Sequence, residues 1–180
     1  MNRAWWIGAA LLLSGSSVIV LSGLEAGEAR LGPEHSVIEA FRSQAGIRVD
    51  EDNLVDALSA VPLTLAIDKA GWKPGVLSLD LRVDTASPAR TDVYSDMAWA
   101  MHFAFRGTEN VERLLLRVVA LDPWTESKSL LLSADIRRED WRPELASELA
   151  KAGDGPLPEA MKRQYRINES HIWKNRFRLP

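Results

Sequence analysis

The chain has 180 residues, with 22 Lys or Arg, 25 Asp or Glu, a net charge of −3 and no cysteine. This charge balance gives no general attraction for nucleic acid, so no nucleic-acid partner is expected. The missing cysteine excludes disulfides, thiolate nucleophiles and cysteine-ligated metals, so an exported domain must be stabilised by its core alone.

The most informative segment is residues 4–23, which contain no charged side chain. About 20 apolar residues suffice to cross a bilayer core of about 30 Å as a helix. Arg3 precedes the segment and Glu25 follows it, so the positive-inside bias predicts a single-pass signal-anchor with an extracytoplasmic C-terminal domain. The alternative is a cleaved signal peptide ending at Ala26 or Ala29, which would make the protein secreted.

In the remaining chain we expect a linker, residues 24–33, and one domain, residues 34–180, whose tail (162–180) is basic. Residues 33–44 carry helical periodicity and form the first predicted helix. A second helix is predicted over residues 50–60, with Asp50 as its N-cap.

Alternating apolar residues then predict two β-hairpins with a helix between them. The first hairpin pairs a strand around Leu63, Leu65 and Ile67 with a strand over residues 75–84, joined by a turn over residues 69–75. A helix opening at Ser87 runs to about residue 105. The second hairpin pairs residues 111–121 with 129–137, the latter having Leu130, Leu132, Ala134 and Ile136 inward, and helices follow near 140–150 and 158–165.

This order predicts an α+β fold: a four-stranded antiparallel sheet, made of two hairpins flanking a helix, with the helices packed on one face. The strand order within the sheet is not determined by the sequence. One face of such a sheet stays uncovered.

That uncovered face collects the main candidate interaction residues. They alternate with the inward leucines and mix arginines, carboxylates and apolar groups, a composition found at protein interfaces. A solvated face with cross-strand ion pairs is the alternative interpretation. The candidates are Asp80, Arg82, Arg113, Leu115, Arg117, Val119, Asp135 and Arg137.

The basic tail is a second candidate surface, for lipid headgroups or anionic wall polymers close to the anchor. The alternative is a final segment that packs its apolar residues on the domain. The residues concerned are Arg166, Trp173, Lys174, Arg176 and Arg178.

No residue pattern indicates catalysis or a metal. The three histidines, His35, His102 and His171, are far apart, and no nucleophile motif is present. The acidic run at residues 50–53 lacks the glycine and glutamate of a calcium loop. No catalytic residue, cofactor or metal is therefore expected.

The expected function is a non-catalytic, membrane-anchored interaction, assembly or regulatory module of the bacterial cell envelope, with a protein partner at the outer membrane surface. The alternative is an exported enzyme or small-ligand-binding protein that acts on a cell-envelope component.

Overall fold

The computed structural model describes residues 46–83, 89–122 and 124–176. All of them belong to the second of two compact units, residues 45–180. The expected anchor or signal peptide, the linker and the first predicted helix lie outside the described residues, as do Ser87 and Arg178. No helix within the described ranges is long and apolar enough to cross a membrane.

The described elements follow the chain in this order: α1 (Leu54–Ser59), β1 (Ala66–Lys73), β2 (Val76–Val83), α2 (Arg90–His102) with a π-helical turn (Phe103–Gly107), β3 (Arg113–Leu121), β4 (Lys128–Arg137), a 3₁₀ turn (Arg138–Asp140), α3 (Pro143–Ala150), α4 (Glu159–Gln164), β5 (Asn168–Glu169) and α5 (His171–Arg176).

The strands form one mixed sheet in the order β1-β2-β3-β4-β5. The α+β class is confirmed, but the fully antiparallel, four-stranded sheet is wrong. β2 and β3 pair in parallel, because the α2 crossover brings the chain back in the same direction. The short β5 adds a fifth strand, antiparallel to β4.

The first hairpin lies further along the chain than its sequence pattern indicates. Leu63 and Leu65 precede β1, because the backbone N–H groups of Thr64 and Leu65 donate to the Asp96 carboxylate on α2. The turn is Pro74–Gly75, where Gly75 has a φ of 79° that favours glycine. Residues 69–73, expected in the turn, are therefore strand.

The core lies between α2 and the inner face of the sheet, where the alternating leucines of β2 and β3 are almost fully buried. α2 is buried on its other side as well, against α3 and α5. The Trp173 ring of α5 packs against the Tyr94 ring of α2 in a tilted arrangement, with ring centroids 5.9 Å apart. The outer face of the sheet has no helix upon it among the described elements.

Leu130 of β4, which the sequence pattern predicts on the inner face, does not lie there. Leu130 is 43% exposed, whereas Leu131 is fully buried. The β3–β4 register shifts between Val118 and Val119, so a β-bulge reverses the alternation at this point.

Candidate functional site: the outer face of the sheet

The outer face forms a groove of about 700 Å³ that crosses all five strands. Its position follows from the strand alternation, since inward leucines leave every second residue of β2, β3 and β4 facing outward. Small residues, above all Gly71 beside Ser78, leave the space of the groove unfilled. The groove is lined by Lys69, Gly71, Trp72, Lys73, Ser78, Asp80, Leu115, Leu116, Arg117, Ser133, Ala134, Asp135, Arg166 and Asn168.

The register arranges these groups in two rows across the strands. One row runs Lys69, Asp80, Arg117, Ser133 and Asn168, one residue from each strand. The other runs Gly71, Ser78, Leu115 and Asp135. The floor therefore alternates charge with small polar groups and carries one leucine near its centre.

Two arginines are fixed on this floor by two-pronged ion pairs. Arg113 donates to both carboxylate oxygens of Asp135, at 2.7 and 2.6 Å. Arg117 donates in the same way to Asp80, which is itself buried. Such paired hydrogen bonds fix the plane of the guanidinium. The hydrogen bonds from Arg113 hold the pKa of Asp135 below its ordinary value, so this carboxylate stays ionised at neutral pH.

Along one side of the groove, β1 and β4 contact each other through their side chains. Lys128 Nζ lies 2.7–2.8 Å from the Asp68 carboxylate, which also lies 3.6 Å from Arg82 Nη1. In a flat sheet these two strands would be about 14 Å apart. Register shifts in both strands near this contact increase the local twist, which explains the concave outer face.

Cations outnumber carboxylates on this face although the whole chain is acidic. Among the described residues, the cations of this face and its rim are Lys69, Lys73, Arg82, Arg113, Arg117, Lys128, Arg137 and Arg166, and the carboxylates are Asp68, Asp80, Asp135, Glu112, Glu139 and Asp140. At the rim, Glu139 pairs with Arg137 and Asp140 pairs with Arg166. Lys69 and Lys73 are exposed and have no salt bridge within the described residues. The unbalanced positive charge therefore concentrates at the β1 end.

Arg166, at the opposite end of the groove, has a left-handed backbone with a φ of 46°. It follows α4 as part of a Schellman cap, in which Ile167 N–H donates to Lys162 O at 2.8 Å. Glycine is the usual residue at this position, because an L side chain is strained there. Arg166 places its guanidinium against Asp135 O at 3.0 Å and Asp140 at 2.9 Å.

The candidate interaction residues from the sequence all lie on strands that form this face. Asp80, Leu115, Arg117 and Asp135 line the groove itself. Three others are on its margins: Arg113 and Arg137 at the end where β3 begins, and Arg82 near the Asp68–Lys128 contact. Val119 is buried, at 8% exposure, so it offers little surface to a partner.

The basic tail does not form one surface. Trp173 is buried in the core, so it is not available to a membrane or polymer. Arg166 belongs to the groove and Lys174 is exposed. The side chain of Arg176 and all of Arg178 lie outside the described part of the chain.

The other sequence candidates take structural positions. His102 is half-buried, with Trp99 and Trp141 rings 6.2 and 6.5 Å away, and burial lowers its pKa. Asp50 accepts hydrogen bonds from the backbone of Asp52 and Asn53, as a turn residue does. In the described ranges no group of three or more histidine and carboxylate side chains could hold a metal ion.

The groove residues that β1 contributes were not among the sheet-face candidates. Lys69, Gly71 and Lys73 read as turn residues because Gly71, Pro74 and Gly75 stand close together, and the alternation of β1 is weak. A turn over residues 69–75 leaves both lysines outside the predicted strands and so outside the predicted sheet face. The Pro74–Gly75 pair, as a two-residue hairpin turn, is the signal that would have placed them.

Comparison with known proteins gave no match to any family model, to any curated protein or to any solved structure.

Proposed function

We propose that this protein is a non-catalytic binding module of the cell envelope, anchored through residues 4–23, whose outer sheet face binds a protein partner. The observation that carries the proposal is the groove itself. It is an uncovered, concave face with rigid arginines, a central leucine and unbalanced positive charge. Mixed arginine and apolar surfaces of this kind suit protein interfaces.

The chemistry of the groove supports binding more than catalysis. Its two carboxylates each face an arginine, and Arg113 lowers the pKa of Asp135. A general acid at neutral pH needs a raised pKa instead. No histidine lines the groove to act as a base for Ser78 or Ser133.

The second candidate is an exported enzyme or small-ligand-binding protein that acts on a cell-envelope component. The size of the groove favours it, since ligand pockets usually measure about 300–1,000 Å³. This function requires a molecule of that size to bind without a protein partner.

Co-purification from native membranes tests the binding proposal. The double variant Lys69→Glu/Lys73→Glu reverses the unpaired charges, and Gly71→Val fills the groove without removing any charge. A Cβ at residue 71 would lie 4.0 Å from Ser78 Cβ, an ordinary contact, so the fold should tolerate it. Both variants should lose the partner.

The matched control is Lys151→Glu/Arg106→Glu, which makes the same charge change at exposed residues outside the groove. It should retain the partner. Unchanged co-purification of both groove variants would refute the proposal. N-terminal analysis of the membrane-bound protein tests the anchor, and a chain beginning at residue 27 or 30 would contradict it.

A further inference from the structure

Both ends of the groove carry cations: two lysines with no salt bridge within the described residues at one end, and an arginine that is 40% exposed although it pairs with Asp140 at the other. Lys69 and Lys73 stand at the β1 end, and Arg166 stands beside β5 at the other. The Arg166 guanidinium hydrogen-bonds Asp135 O on β4, which is three strand spacings from β1, or about 14 Å, the length of about four residues of extended peptide. A ligand that satisfies both ends therefore has negative charges separated by roughly that distance.

The middle of the groove suits a neutral, polar stretch of chain. The hydroxyls of Ser78 and Ser133 make no hydrogen bond to any described residue, so they are free to bond a peptide backbone. The Asp80 and Asp135 carboxylates also lie here, each paired with an arginine. The middle of the groove therefore offers no unpaired positive charge to a polymer that carries a phosphate on every unit, such as a nucleic acid.

Arg166 gives an independent indication that its end of the groove has a role in binding. Its left-handed backbone costs free energy that glycine would avoid, and its side chain is 40% exposed at the groove. Strained residues concentrate at functional sites, where the side chain is needed despite the cost.

A second copy of this chain does not fit the groove. In a two-fold symmetric contact two faces with the same excess of cations would meet, so the contact would bring positive charge together without compensating it. Charge complementarity requires a partner that is acidic where the groove is basic.

From these observations we infer that the groove binds an acidic polypeptide segment of the partner, in extended conformation across the strands. Its carboxylates contact Lys69 and Lys73 at one end and Arg166 at the other, with a small polar stretch between. This inference rests on the proposed binding function and names the chemistry of the partner.

Fluorescence anisotropy with the purified full-length chain provides the test. The probe is the labelled peptide DDGSGDD, which has acids at both ends. The controls are NNGSGNN, the isomer GDDDDSG, which groups the same four acids at its centre, and a thymidine 12-mer as a phosphate polymer. DDGSGDD should bind most tightly of the four, and its affinity should fall as salt rises.

Three variants localise the binding. Lys69→Gln/Lys73→Gln should weaken DDGSGDD binding roughly tenfold, and Arg166→Gly roughly threefold, since exposed charge contacts are individually weak. Lys151→Gln, which removes an exposed lysine outside the groove, should bind as the unaltered chain does. Arg166→Gly should unfold at the same temperature as the unaltered chain or close to it, so its loss of affinity would not reflect a damaged fold.

Several results would overturn the inference. Equal affinity for the isomer would refute the separated ends, and tighter binding of the thymidine 12-mer would assign the groove to a phosphate polymer. No binding of DDGSGDD, or equal binding by the lysine double variant, would refute the acidic segment. If the groove variants still lose the partner in co-purification, the proposed function stands and only this inference fails.

Discussion

Replacing Arg166 by glycine and by alanine separates its backbone strain from its side-chain contacts. Arg166 has a φ of 46° at the residue where α4 ends, and the Schellman hydrogen bonds hold it there. Both substitutions remove the same contacts, the ion pair with Asp140 and the hydrogen bond to Asp135 O. They differ because alanine keeps the Cβ atom that strains a left-handed backbone, whereas glycine has none.

The expected difference follows from two opposing effects. A left-handed backbone costs an L residue about 1–2 kcal/mol that glycine avoids. Glycine also makes the unfolded chain more flexible than alanine does, which lowers the stability of the glycine variant by about 0.4–1 kcal/mol. Arg166→Gly should therefore be about 1 kcal/mol more stable than Arg166→Ala. Because the lost surface pair contributes only about 0.2–1 kcal/mol, the glycine variant should lie within about 1 kcal/mol of the unaltered chain.

Thermal unfolding measured by circular dichroism checks this comparison. A difference of about 1 kcal/mol corresponds to about 3–4 °C in Tm for a domain of this size. Urea unfolding of the same proteins gives the free energies independently. An alanine variant as stable as the glycine variant, or more stable, would refute the assignment of strain to residue 166.

Three further predictions concern stability. Asp96→Ala should cost about 1–3 kcal/mol in urea unfolding, because it removes the buried carboxylate that accepts hydrogen bonds from the backbone N–H groups of Thr64 and Leu65. A cost under about 0.5 kcal/mol would contradict that role. Arg138→Lys should cost about 2–3 kcal/mol, because an ammonium cannot reproduce the geometry of the guanidinium, which donates to four carbonyls around the π-helical turn. These are the carbonyls of Ala104, Phe105, Thr108 and Val111. Unaltered stability would show that water replaces the lost hydrogen bonds. Asp135→Asn should reduce stability at pH 7. The pKa of Asp135 in the folded protein lies below its value of about 3.8 in the unfolded chain, so its stabilising contribution disappears as the pH falls below 3.8 and through the native pKa. An effect of the substitution that does not depend on pH would refute the charge argument.

The sequence predicted the parts of the fold that depend on local pattern. The strict alternation of β2 put Leu77, Leu79 and Leu81 inside and Asp80 outside, as observed. The parallel pairing of β2 with β3 could not be derived, because it depends on where α2 packs and not on the strands' own residues. The two hairpins on either side of α2 form as expected. Neither the bulge near Leu130 nor the short β5 has a distinctive local signal in the sequence.

The candidate site was predictable in part for the same reason. Arg117 and Asp135 could be assigned to the outer face from alternation alone. The strain at Arg166 could not, since it appears only once the end of α4 is located. The role of Asp96 could not be predicted either, because it depends on the burial of this carboxylate in the folded protein, where it accepts hydrogen bonds from backbone N–H groups.

Photo-crosslinking in native membranes tests the central claim, that the outer face of the sheet is where the partner binds. A photoreactive residue in place of Ser78, in the groove, is compared with one in place of Ser147, exposed on α3. The account predicts a crosslinked partner from residue 78 that disappears in the Lys69→Glu/Lys73→Glu background, and none from residue 147. Crosslinking from residue 147 with none from residue 78 would contradict it.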